Sequence, residues 1–146
     1  MDRVKFSIFS VYIGQIMYEF RVYYDDTDAS GRVYHANYLK FLERGRTNLI
    51  YQTQYTHKIL LDKFNIIFVV KECNVKYKKP AYFEDLIKVI SVIDELTKVK
   101  IKFNQKIYRK SDLLVQAEVL VIPVNANGKI SKLPDELFYI LEKLNI

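Results

Sequence analysis

Sulfur and ring constraints are nearly missing from this sequence: one cysteine, Cys73, three prolines, four glycines and no tryptophan stand in 146 residues. One cysteine excludes an intrachain disulfide framework and fits a reducing compartment, so a cytoplasmic location is the expectation. With only two histidines beside it, a thiolate-rich structural zinc site is excluded, and no metal or organic cofactor is expected. No apolar run approaches the roughly 20 residues that span a bilayer, so membrane insertion is not expected. Few Gly and Pro, no biased tract and no internal repeat leave no place for a linker.

What is present is a core-forming composition. Half the residues are apolar and 27% are charged, which describes an ordered chain. The length fits one domain, since domains most often run to about 100–150 residues. The net charge is +6, but the cations comprise seventeen Lys and only six Arg, scattered along the chain. Nucleic-acid readers lean on the bidentate Arg fork, so nucleic-acid binding is not expected. A solvated basic surface, or attraction of a phosphorylated small molecule, accounts for the charge.

The first 16 residues carry an apolar run, but Asp2 interrupts the basic start and no small-residue cleavage site follows, so they do not read as a signal peptide. Residues 1–16 are read as an N-terminal extension, with Met17 as a candidate natural start, and 17–146 as a single domain. Met17–Tyr24 alternates with period two, setting Phe20, Val22 and Tyr24 on one face of a strand. A polar Gly-containing loop, Asp25–Gly31, follows. From Asn37, a candidate N-cap, Tyr38, Phe41, Leu42, Gly45, Leu49 and Ile50 recur at three- and four-residue steps, the pattern of a helix of about 15 residues. A shorter helical turn is expected near Lys58–Phe64.

Strands then follow one another: Ile66–Tyr77, Leu86–Ile93, Lys98–Ile107 and Leu113–Val121. In the third, Val99, Ile101, Phe103 and Ile107 face one side and Lys98, Lys100, Lys102 and Lys106 the other, the mark of a sheet with one solvated face. A turn at Asn125–Gly128 and a helix over Leu133–Leu144 complete the chain. A strand, a long helix and then consecutive strands make an α+β fold with an antiparallel sheet of about five strands. Cys73 falls within a strand that reads as buried, where it acts as a small hydrophobe.

The densest polar constellation is Tyr24, Asp25, Asp26, Asp28 and His35, just before the long helix. Free N–H groups at a helix start favour carboxylates and can polarise a carbonyl. Asp28 and His35, seven residues apart across a Gly loop, can converge for acid–base or nucleophilic work. By composition alone an Asp-rich loop before a helix is more often cap and turn. It lacks the spacing and terminal Glu of a calcium loop.

The stretch Tyr23–Thr47, reading YYDDTDASGRVYHANYLKFLERGRT, and the later VKYKKPAYFED over Val75–Asp85 resemble the 4-hydroxybenzoyl-CoA thioesterase family. The resemblance is narrowest to its bacterial Tol–Pal-associated acyl-CoA thioesterases. One departure is Ser30, where many members have Gly. The resemblance implies a hotdog fold, a long central helix wrapped by an antiparallel sheet, and hydrolysis of an acyl-CoA thioester at the interface of a homodimer or homotetramer. It implies Asp28 as nucleophile or general base and the His35 backbone N–H as the group polarising the carbonyl. Tyr24 is grouped with them, and Gly31, Val33, Tyr34 and Glu43 are expected to meet substrate. Glu43 and Arg46, one turn apart, read as an i,i+3 ion pair supporting the helix. His57 reads as a surface residue. The rival readings are a thioesterase acting on acyl-carrier protein, which the basic surface suits, and a low-turnover scaffold of envelope or phospholipid metabolism.

Overall fold

Alternation of buried and exposed residues over three long stretches, with a fourth lying exposed at an edge, builds the second half of the chain into a single antiparallel sheet. The computed structural model describes residues 11–12 and 15–144. The rest of the proposed extension, residues 1–10, 13 and 14, lies outside the described residues. The elements are β1 (Val11–Tyr12), β2 (Gln15–Arg21), a 3-10 turn (Tyr24–Asp26), α1 (Asn37–Tyr51), α2 (His57–Phe64), β3 (Ile67–Tyr77), β4 (Leu86–Thr97), β5 (Lys100–Arg109), β6 (Asp112–Val124) and α3 (Asp135–Leu144). Their order across the sheet is β1-β2-β4-β5-β6-β3, with every neighbouring pair antiparallel. Five long strands and a two-residue edge strand thus realise the expected α+β architecture.

The chain leaves β2 near one edge, crosses the sheet through α1 and α2, and enters β3 at the opposite edge. Phe41, Leu42 and Leu49 of α1 are fully buried against the inward residues of the strands, among them Val89, Ile101, Phe103 and Val119. Burying a side chain of this size is worth about 1.5–3 kcal/mol. The helix approaches the sheet closely because Gly45 has no Cβ: one added there would lie 2.6 Å from Val89 Cγ1 and 2.9 Å from Ser91 Oγ.

Several local expectations are corrected. The first strand starts at Gln15 and ends at Arg21, and Tyr24 belongs to a 3-10 turn and is 79% exposed, although Phe20 and Val22 do face inward. Asn37 is not the N-cap. It is the first residue of α1, follows Ala36, and sends its side chain back toward the preceding loop. Val99 lies in the β4–β5 turn and is exposed, so β5 presents Ile101, Phe103, Gln105 and Ile107 inward instead. Lys98 also leaves the sheet face and pairs with Asp135. Cys73 is exposed. Its strand lies at the sheet edge, where α1, packed over β2 and β4, does not cover it. The helix over 57–64 is complete, capped by Thr56, whose hydroxyl accepts from Ile59 N–H at 3.1 Å.

Candidate active site

The polar loop of residues 25–35 folds as a small hairpin. Thr27 and Val33 form a bridge, Asp28 N–H donates to Arg32 O at 2.9 Å, and Gly31 N–H returns to Asp28 O at 3.0 Å. Gly31 adopts φ +80°, the left-handed region where a side chain is strained. The interior carboxylate of this loop is Asp26. Its Oδ2 accepts from Tyr23 N–H at 2.9 Å and its Oδ1 from Asn37 Nδ2 at 3.3 Å. Its carbonyl accepts from Tyr34 N–H at 2.9 Å. Asp26 therefore ties the end of β2, the hairpin base and the start of α1 into one unit.

Asp28 stands at the tip of that unit with its carboxylate exposed. Ser30 addresses one oxygen, Oδ1, twice: its N–H at 2.8 Å and its hydroxyl at 2.5 Å. Oδ2 carries no hydrogen bond from the described residues. The Ser30 hydroxyl, then its backbone N–H, hold the Asp28 carboxyl below its ordinary pKa by stabilising the ionised form.

At the helix start, His35 N–H makes no hydrogen bond among the described residues, while its carbonyl accepts from Tyr77 Oη at 3.0 Å. Tyr77 belongs to the second sequence motif. The rest of that motif clasps the hairpin: Val33 N–H donates to Ala81 O at 2.9 Å, and Phe83 N–H donates to Gly31 O at 3.1 Å. Arg109 Nη1 holds this clasp through Asp85 Oδ2 at 2.8 Å and Pro80 O at 3.1 Å. Tyr77 and Asp85 thus brace the Asp28 hairpin, a role that their place in the sequence motif does not reveal.

The other named residues separate. Tyr24 stacks on Phe83, with ring centroids 4.3 Å apart, and makes no hydrogen bond to Asp28. Tyr34 is exposed and tilts against the His35 ring at 4.5 Å, whereas Val33 is buried in the core. Glu43 lies farther along α1 in a cleft of about 190 Å³, whose polar side is Glu43, Arg46, Thr47 and His57. The expected Glu43–Arg46 ion pair does not form. Glu43 Oε1 accepts from Thr47 Oγ1 at 2.8 Å, and Arg46 reaches across to Gln105 Oε1 at 3.1 Å. Gln105 was not singled out from the sequence, yet the β5 alternation that buries Ile101, Phe103 and Ile107 places it inside as well. His57 is exposed at the cleft rim, 3.4 Å from Thr47 Oγ1.

No helix among the described residues is long and apolar enough to cross a membrane. The sequence model of the family described as "Thioesterase-like superfamily" matches residues 22–141. The acyl-CoA thioesterase YbgC of Haemophilus influenzae is 40% identical over 105 residues, 72% of this chain and 77% of that protein. A probable thioesterase from Bartonella henselae superposes with a TM-score of 0.80 at 32% identity, covering 82% of this chain and 99% of that one. A crystal structure of 4-hydroxybenzoyl-CoA thioesterase gives a TM-score of 0.79 over 90% of this chain and 99% of its own, at 15% identity, a likeness of fold. The helix-on-sheet architecture is the hotdog fold.

Proposed function

This chain belongs to the thioesterase-like superfamily, and on that premise we propose that it hydrolyses an acyl-CoA thioester to a free carboxylic acid and CoA at the Asp28 hairpin. It is a thioester hydrolase, the activity named for its Haemophilus influenzae relative. One observation carries the site assignment: an exposed carboxylate with an uncommitted oxygen is braced on the same unit as an unengaged N–H at a helix start.

In this reading the His35 N–H, aided by the positive end of α1, polarises the thioester carbonyl. Asp28 Oδ2 then acts in one of two ways. It takes a proton from a water whose oxygen bonds to the carbonyl carbon, or it bonds to that carbon itself and the resulting anhydride is hydrolysed. In both, the C–S bond breaks as the tetrahedral oxyanion collapses, and the CoA thiolate leaves and is protonated. A thioester suits so spare a site because its carbonyl is weakly resonance-stabilised and its thiolate leaves readily.

All three motif side chains are open to solvent in the single chain, so water exclusion falls to a second protomer. The edge of β3 supports that arrangement: its outer hydrogen-bonding side is unpaired among the described residues, and Val70, Cys73 and Tyr77 are exposed on that strand. Pairing of β3 with its copy, giving a homodimer or a higher homo-oligomer, would cover them. The net charge of +6 also suits an acidic acyl-carrier protein as the thiol carrier.

The test is thiol release from short, long and aromatic acyl-CoAs, each compared with the matching acyl-carrier protein thioester, for the native chain and Asp28→Asn. Hydrolysis lost in Asp28→Asn supports the reading. Full activity in a folded Asp28→Asn removes Asp28 from the mechanism.

A further inference from the structure

Arg46 is a half-buried cation with no salt bridge among the described residues, although the Glu43 carboxylate is near enough to favour its charge. Its desolvation lowers the guanidinium pKa below the ordinary value, although the group stays charged. A guanidinium offers five N–H donors, and the described residues engage it once, through Nη1 to Gln105 Oε1. That contact has a fixed polarity. The Gln105 amide nitrogen spends its two hydrogens on Leu42 O at 2.9 Å and Ser91 Oγ at 2.8 Å, so its oxygen must face Arg46. Gln105 and Ser91 are both fully buried. The guanidinium is thereby anchored from beneath on a rigid pair of strands.

The remaining N–H groups point elsewhere. No buried side-chain nitrogen or oxygen among the described residues lacks a hydrogen bond, and Arg46 lines the cleft between α1 and β3. Its unspent donors therefore open onto that cleft. The facing wall is apolar, formed by Phe68, Val70, Ile101 and Phe103. β3 bulges between Val70 and Glu72, where the strand borders the cleft. The volume of about 190 Å³ is room for roughly six water-sized groups at about 30 Å³ each. Measured along α1, Arg46 lies about 13 Å from Asn37, at about 1.5 Å per residue. That is the distance of a far end of an acyl group whose carbonyl sits at the helix start.

A plain alkyl end in this cleft would strip water from the Arg46 donors and give nothing back, a cost that falls on the group left unpaired. An acceptor oxygen at the same place would be bound by a charged donor. Glu43 beside it counters the positive charge, so the cleft favours a neutral oxygen over a carboxylate. We propose that the α1–β3 cleft receives the far end of the acyl group and that Arg46 selects acyl groups bearing a neutral hydrogen-bond-accepting oxygen, hydroxyl or oxo, at that end. The proposal rests on the thioesterase reading above and deepens it.

The experiment compares kcat/KM for acyl-CoAs of matched medium length whose far end is plain alkyl, hydroxyl, oxo or carboxylate, in the native enzyme and in Arg46→Met. The native enzyme prefers the hydroxyl or oxo ester over the plain one by about ten- to a hundredfold, the worth of one hydrogen bond from a charged donor. In Arg46→Met that ratio collapses toward one. Equal turnover of plain and oxygenated esters by an active native enzyme keeps the thioesterase reading and overturns the selectivity. A preference that survives Arg46→Met, or a preference for the carboxylate arm above all others, also overturns it. If Arg46→Met does not fold, Arg46→Lys keeps the charge and stem but loses the fork, and the ratio must fall there too. Absence of thiol release from every arm fails the functional reading itself. The cleft is then judged by the rise in Tm from each free acid. A larger rise from the oxygenated acid that disappears in the Arg46 variant supports the assignment, and equal rises overturn it.

Discussion

Ser30 donates both its backbone N–H and its hydroxyl to the same carboxylate oxygen of Asp28. The residue at which this chain departs from the family motif is thus the one that touches the proposed catalytic group. Because these donors stabilise the ionised carboxylate, its pKa is lowered, the hydroxyl contributing most. Asp28 must be ionised to act as nucleophile or base. Activity is therefore expected to persist as pH falls, until the pH passes below the ordinary aspartate range. In Ser30→Ala the hydroxyl is gone and the N–H remains, so the acidic limb of kcat/KM moves upward toward the ordinary value. That limb reports the free enzyme. A pH–rate series on both proteins checks it, and an unmoved limb would assign the titration to another group.

Two carboxylates compete for the central role, and their surroundings separate them. Each has one oxygen hydrogen-bonded and one free, but Asp28 stands on the braced hairpin beside the helix start, while Glu43 lies along α1 in the cleft, bonded by Thr47. Asp28→Asn is expected to lower kcat by roughly 10²–10⁴-fold, the usual worth of a positioned acid–base group. Its Tm should change little, because the Asn amide oxygen can accept from Ser30 as well. Glu43→Gln is expected to cost less than tenfold. His35→Ala should also be mild, since its proposed contribution is a backbone N–H that any residue supplies. Reversal of the Asp28 and Glu43 effects would move the chemistry into the cleft.

The element order was legible because period-two and period-3.6 patterns are properties of the chain itself. What escaped was set by neighbours distant in sequence. Cys73 sits in a β-branched run that looks interior, yet its strand is the last of the sheet and the helix leaves a cleft beside that strand instead of covering it. Arg46 and Glu43 have ion-pair spacing, but Gln105, far along the chain, offers a fixed acceptor that takes Arg46 away. Gln105 itself left a signal, a polar residue in phase with Ile101, Phe103 and Ile107. Asn37 had the composition of a cap, but Asp26 across the hairpin claims its amide. The motif found the hairpin, and the clasp from Tyr77 to Asp85 required the fold.

Gly45 is where helix and sheet come closest. An Ala side chain there would meet Val89 Cγ1 at 2.6 Å, Ser91 Oγ at 2.9 Å and Gln105 Nε2 at 3.0 Å. Ser91 and Gln105 are held by hydrogen bonds to each other, and Gln105 also holds Leu42, so they cannot retreat cheaply. Overpacking costs about 1–3 kcal/mol, against a gain of roughly 1 kcal/mol from replacing Gly with Ala inside a helix. Gly45→Ala is expected to destabilise by about 1 kcal/mol net, read as a lower urea midpoint with an unchanged slope. A stabilised variant would mean that α1 can lift from the sheet without loss.

The phenol of Tyr77 links the two motifs at the point where carbonyl polarisation is proposed. It donates to His35 O at 3.0 Å and packs edge-on against Tyr38 with centroids 5.4 Å apart. Tyr38 in turn accepts from Ala81 N–H at 2.9 Å, inside the clasp. Tyr77→Phe keeps the ring and the edge contact but releases the peptide that follows His35. The fold should hardly notice, since the side chain is half exposed. The aim of the His35 N–H should suffer, because it belongs to the same short turn. Losing one neutral hydrogen bond of about 1 kcal/mol corresponds to roughly fivefold. That loss is expected in kcat, with KM and Tm nearly unchanged, because misaimed polarisation weakens the transition state and leaves ground-state binding alone. A variant that instead raises KM at constant kcat would make Tyr77 a wall of the binding site, not a brace for the helix start.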